Sequence, residues 1–151
     1  MGQIILQKDI VRFRNKYQFK IIVAACGCFD IFHIGHLDYL TGAKKLGDII
    51  FVGVNSNRSI LANKGEKPIF SADQRMNIIA ALSCVDFVFC FDEKTFDNTL
   101  KLLKPNIFAR GIDAKEKGFP EENTVKDLNI IVNIVGDYKK SSSRELRKYY
   151  E

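Results

Sequence analysis

The chain holds two histidines, His33 and His36, three residues apart in the run Cys26-Gly27-Cys28-Phe29-Asp30-Ile31-Phe32-His33-Ile34-Gly35-His36. This run directly follows an apolar stretch, Ile21–Cys26, and leads into a helical pattern. In the first turn of a helix, residues three apart share a side. Unpaired backbone N–H groups and a partial positive charge lie beside them. Such a place receives anions. Two imidazoles there suit a phosphate that gains negative charge during reaction, and Gly35 lets a ligand approach the backbone. The plainer reading is a pair of surface histidines at a helix start. It leaves Gly27, Asp30 and Gly35, all packed into the same loop, without a role. Cys26, Cys28, His33 and His36 also form C-x-C-x4-H-x2-H, but zinc-finger spacing parts the Cys and His pairs by about twelve residues and the histidines by three to five. No resident metal is expected.

Those side chains need elements to position them. Ile21–Cys26, Ile49–Val54, Val85–Phe89, Ile107–Ala109 and Ile130–Val135 read as buried strands, bounded by Gly, Asp, Asn or Pro. Between them lie helical patterns at Ile34–Leu46, Ala72–Leu82, Thr95–Leu103 and Glu121–Leu128, with Ser142–Tyr150 at the end. Ser71 and Gln74 are spaced as a capping box. A helix at Lys8–Lys16 leads in. Such alternation predicts an α/β fold, a doubly wound parallel sheet with helices on both faces. The expected organisation is one domain over 1–151, with a helical lead-in at 1–19 and a C-terminal helix at 139–151. Ligands in such sheets bind beyond the carboxyl ends of the strands, where the strand order reverses.

The chain is 151 residues long, 46% hydrophobic and 27% charged, which fits one globular domain with an adequate core. Its longest apolar stretch, Ile21–Phe29, falls short of the ~20 residues a membrane span needs. Residues 1–20 lack a charged head followed by an apolar core, so no signal peptide is expected and the location expected is cytoplasmic. Cys26, Cys28, Cys84 and Cys90 are expected to be reduced. The net charge is +5, which suits a polyphosphate, a nucleic acid or a membrane surface alike. Residues 139–151 carry five basic and two acidic side chains.

The segment G-x-F-D-x-x-H-x-G-H resembles the signature of the cytidylyltransferase-like nucleotidyltransferases, a Rossmann-like superfamily. Leu46-Gly47-Asp48, Val54-Asn55-Ser56, Lys64-Gly65, Pro68, Gln74-Arg75-Met76, Ala80-Ala81-Leu82, Val85-Asp86, Phe91-Asp92-Glu93-Lys94-Thr95 and Leu103-Lys104-Pro105 are similar to the adenylyltransferase domain of ADP-heptose synthases. The resemblance covers most of residues 20–113, with a weaker echo at Ser141–Ser143. It implies transfer of a nucleoside monophosphate from ATP or CTP to a phosphorylated small molecule, with release of pyrophosphate and no covalent enzyme intermediate. That chemistry explains why no nucleophile–base pair stands out.

On the same resemblance His33, His36 and Lys64 are the catalytic groups, Lys64 on a mobile segment after the second strand. Gly27, Cys28, Phe29, Gly35, Arg110, Gly111, Asp113, Ser141, Ser142 and Ser143 bind the nucleotide. Asp30 and Arg75 face the acceptor, although Arg75 also reads as a packing residue. Mg²⁺ comes with the triphosphate, and a homodimer is possible. The chain departs from the pattern at Cys26, where Asn is frequent, and in Arg110-Gly111-Ile112-Asp113, where Lys-Gly-Gly-Asp is common. These departures bear on the acceptor more than on the chemistry.

The expected acceptor is a sugar 1-phosphate of heptose type. The alternative is a cytidylyltransferase for glycerol 3-phosphate or another polyol or amino-alcohol phosphate. A nucleotide-binding regulatory module is a third reading, opposed by the intact set of phosphate-facing residues. A nucleic-acid binder lacks the interleaved aromatic and basic patches it needs.

Overall fold

The computed structural model describes residues 1–136 and 143–150, with the backbone alone for Ser143 and Arg144. Ser141 and Ser142, part of the expected nucleotide site, lie outside the described residues, as does the side chain of Ser143. Six strands form one sheet: β1 (Gln3–Ile4), β2 (Ile22–Gly27), β3 (Ile49–Asn55), β4 (Phe87–Phe91), β5 (Ile107–Gly111) and β6 (Ile131–Val135). They run in the order β1-β4-β3-β2-β5-β6, and every pair is parallel. The order reverses between β2 and β5, so a crevice opens beyond Gly27 and Gly111.

Alternation along the strands builds a core on each face. Ile22, Ala24, Phe51, Phe87, Phe89 and Phe91 point to one side. There they meet α1 (Ile10–Asn15), α5 (Asp97–Leu103) and α7 (Glu122–Asp127) through Phe13, Leu100 and Val125. Val23, Ala25, Ile50, Val52 and Val88 point to the other. They pack on α2 (Ile34–Lys44) and α4 (Ala72–Ala80) through Leu40, Ala43, Met76 and Ile79. This is the doubly wound sheet that the sequence pattern predicts. Among the described residues no helix is long and apolar enough to cross a membrane. All four cysteines are free thiols.

Three departures matter for the site. Asn57–Lys64 is a helix, α3, so Lys64 closes a helix where a loose segment was expected. Gly65, at φ +71°, caps it in the left-handed region that glycine tolerates. The strand expected at Val85–Phe89 lies two residues later, because Asp86 turns its carboxylate back to accept from the Ile50 N–H at 2.8 Å and the Lys44 ammonium at 2.7 Å. A short helix, α6 (Asp113–Lys117), follows β5 directly. The lead-in is β1, one 3-10 turn and α1. Of the C-terminal helix, α8 (Ser143–Arg147) is described.

Candidate active site

In the loop from β2 into α2 the polar groups close on each other. His33 is the N-cap of α2, and its Nδ1 accepts from the Gly35 N–H at 3.1 Å. Nδ1 of His36 accepts from the His33 N–H at 3.3 Å. The two histidines thus form a capping box, a role usually filled by Ser or Thr with Glu or Gln. Their rings stack at 3.9 Å between centroids. With both Nδ1 atoms accepting, each neutral ring carries its proton on Nε2. Two ring N–H donors are therefore oriented before any ligand arrives. Phe29 stands edge-on to His36 at 5.3 Å and stacks on Tyr39 at 6.5 Å. Phe29 sits at φ +51°, a strained conformation for a bulky residue. Gly27 makes it possible, since a Cβ there would stand 3.0 Å from the Phe29 ring.

Asp30 is buried, and its carboxylate accepts from the N–H groups of Ile69 and Phe70, each at 2.9 Å. It also accepts from Arg147 at 2.9 Å. Arg75 is 1% exposed. Its guanidinium donates to the carbonyls of Phe70, Cys28 and Asn55 and to Oδ1 of Asn57, at 2.6 to 2.9 Å. Arg75 therefore cannot face an acceptor phosphate as expected. It is buried in the protein and ties the signature loop to the end of β3 and to the segment before α4.

A cleft of about 510 Å³ opens at the strand-order reversal. Every described candidate except Arg75 lines it, including both histidines, Lys64, Arg110 and Asp113. Arg110 leaves the end of β5 and lies over the rings of Phe108 and Phe119. It donates to Sγ of Cys26 at 3.3 Å. Two of the departures from the family pattern, Cys26 and Arg110, thus touch each other. Burial pushes the Cys26 thiol up to about 12 and outweighs the Arg110 charge beside it. Ile112 has φ −59° and ψ −26°, so a residue where glycine is common keeps an ordinary backbone there.

Sequence reasoning passed over two residues at this site. Tyr39, whose hydroxyl donates to the Ala109 carbonyl at 2.7 Å and accepts from the Cys26 N–H at 3.2 Å, joins the ends of β5 and β2 under the cleft. In sequence it is one more aromatic position on α2. Arg147 reaches Asp30 from the other end of the chain, and no local signal marks it.

A parallel sheet that reverses order at a cleft, with a capped imidazole pair at its mouth, defines a nucleotide-binding α/β protein. The chain belongs to the cytidylyltransferase-like family, which matches residues 24–148, and it is a nucleotidyltransferase domain. It is 43% identical over 113 residues to the bifunctional protein HldE of Campylobacter fetus, covering 74% of this chain and 25% of that protein. It is 39% identical over 122 residues to HldE of Geobacter sulfurreducens, covering 80% of this chain and 25% of that one. The chain spans about a quarter of the length of these curated relatives. Among solved structures, a lipopolysaccharide core biosynthesis protein from Thermoplasma volcanium superposes with a TM-score of 0.68 at 34% identity. That match covers 80% of this chain and 99% of that one. A pantoate-β-alanine ligase from Francisella tularensis shares the fold, with a TM-score of 0.72 at 19% identity over 97% of this chain and 73% of its own.

Proposed function

We propose that this protein transfers the nucleoside monophosphate of ATP to a sugar 1-phosphate of heptose type and releases pyrophosphate. The observation that carries the reading is the imidazole capping box at the start of α2, whose two histidines line a cleft at the sheet's reversal point. The acceptor's phosphate oxygen attacks the α-phosphorus. A new P–O bond forms, the bond from the α-phosphorus to the bridging oxygen breaks, and pyrophosphate carries away the electron pair. His33 and His36 donate to oxygens that gain charge, and Lys64 adds a point charge on the facing rim. Arg110, Asp113 and the run Ser141–Ser143 complete the nucleotide site. Catalysis of this kind is positioning plus preorganised electrostatics.

The donor set suits a cation that arrives on the triphosphate. The cleft is rich in N–H and imidazole groups, and one of its carboxylates, Asp30, already accepts from three N–H groups. Mg²⁺ bound to phosphate oxygens and water needs only one or two carboxylates, and Asp113 is an exposed one at the cleft. The ion would neutralise triphosphate charge.

The sugar acceptor is favoured by the resemblance over residues 20–113 and by the 34% identical lipopolysaccharide core biosynthesis protein. The test is pyrophosphate release across a matrix of nucleoside triphosphates and phosphorylated acceptors. ATP with a heptose 1-phosphate should give the strongest signal. A strongest signal from CTP with glycerol 3-phosphate would replace this reading by the polyol one. Silence with every pair, despite tight nucleotide binding, would replace it by a regulatory module.

A further inference from the structure

Lys64 closes α3, and the chain then crosses from Gly65 to Ser71, the N-cap of α4. No helix or strand holds this crossing segment. Its far end is tied down by Asp30, which takes the N–H groups of Ile69 and Phe70, and by Arg75, which takes the Phe70 carbonyl. Its near end, next to Lys64, is gripped from the C-terminal helix. Arg147 spends all three guanidinium nitrogens there. Nη1 lies 2.9 Å from Oδ2 of Asp30, Nε lies 3.1 Å from Oε2 of Glu66, and Nη2 donates to the Lys67 carbonyl. Tyr150 adds an edge-to-face contact on Phe70 at 6.2 Å. Asp30 is 8% exposed and Arg147 21%, so this pair is far less screened than a surface ion pair. The planar fork also fixes direction as well as distance.

We propose that Arg147 is a positioning residue for nucleotidyl transfer. It clamps Glu66 and Lys67 against Asp30 and thereby sets where Lys64 stands at the triphosphate. The proposal rests on the nucleotide reading of the cleft. Arg147 does not touch the reacting atoms and acts through the segment that carries Lys64. The same clamp ties α8 to the signature loop through Asp30.

Two measurements on the full chain test this. The first is amide hydrogen exchange in Arg147→Ala. Exchange over residues 65–70 should rise about tenfold or more, while peptides from β2 and β4 stay unchanged. Unchanged exchange at 65–70 overturns the clamp. The second is a double-mutant cycle on the affinity for whichever of the four common nucleoside triphosphates the wild type binds best. Arg147→Ala and Lys64→Ala should each weaken binding about tenfold, and the pair together should do little worse than Lys64→Ala alone. Additive losses, near a hundredfold in the double variant, would mean that Arg147 does not act through Lys64 and would overturn the proposal. Thermal melts confirm that each variant folds. Neither arm needs turnover, so a chain that binds nucleotide but transfers nothing would overturn the transfer reading and leave this test intact.

Discussion

The two walls of the cleft are built on opposite principles. On the wall formed by the end of β2 and the start of α2, the polar groups are committed to one another. His33 and His36 cap their own helix, Asp30 holds the N–H groups of Ile69 and Phe70, and the Cys28 carbonyl is held by Arg75. The facing wall, after β5, is a five-residue helix whose Asp113, Lys115, Glu116 and Lys117 are exposed. A Cβ on Gly111 would meet nothing within 4 Å. A braced wall keeps donors where charge develops and loses nothing to reorganisation when it does. An open wall of exposed side chains accepts substitution without harm to the fold, as specificity loops do. The departures at Arg110 and Ile112 fall on that second wall. In the proposed reaction the phosphate-facing histidines belong to the first wall, and the exposed side chains of α6 belong to the second.

The contrast breaks most severely at Arg75. Replacing it by Met keeps the volume but strands the carbonyls of Cys28, Asn55 and Phe70, while the exposed Asn57 keeps its bond from the Ala72 N–H. A loss of about 3–5 kcal/mol in unfolding free energy is expected, read as a lower denaturant midpoint. A loss below about 1 kcal/mol would show that the first wall is not braced as described. Next comes His36→Ala, which should lower turnover about 10²-fold as a transition-state donor is lost. Its Nδ1 also helps cap α2, so about 1 kcal/mol of stability should go with it. Near-normal turnover would remove His36 from the reaction. Asp113→Asn probes the second wall. It should shift the preference among nucleoside triphosphates or acceptors about tenfold, with stability within about 0.5 kcal/mol of the parent. A large stability loss there would erase the distinction between the walls.

The same contrast decides what the amino-acid sequence discloses. The apolar strands and the Ser71–Gln74 capping box are local patterns, and the structure carries both, with side chain and backbone closing reciprocally at Ser71. The signature loop is contiguous, so its members are legible together, and they gather in one cleft. Helix α3 is hidden because Asn57-Arg58-Ser59-Ile60 has no apolar stripe, and only Ser59 and Ile60 are buried. Arg75 reads as a surface charge, since its partners at residues 28, 55 and 57 are distant in sequence and its isolation from water follows from packing alone. Arg147 is hidden for the same reason, with its ion-pair partner Asp30 lying 117 residues away. Local periodicity reveals elements, whereas long-range polar bracing has no period to find.

The smallest effect lies where the walls meet, at Cys26 on β2 and Arg110 on β5. The Cys26 thiol is pushed up to about 12 by burial, from an ordinary value of 9.0. In the unfolded chain it ionises near 9, so between about 9 and 12 the unfolded state binds fewer protons than the folded one. Stability must then fall as pH rises through that window, by about 1 kcal/mol at pH 10. Tyr39, also raised above its ordinary value by burial, gives a second fall of the same sign that begins at higher pH. Cys26→Ala should lessen the first fall, leaving the share of Cys90, whose thiol is also raised by burial, and keep the second. The check is the urea midpoint of both chains at pH 8 and pH 10, where the parent should lose more between the two conditions than the variant. Equal losses would mean that the half-buried Cys26 is as well hydrated in the folded protein as in the unfolded one, and that its neighbours Arg110 and Tyr39 do not shield the thiol.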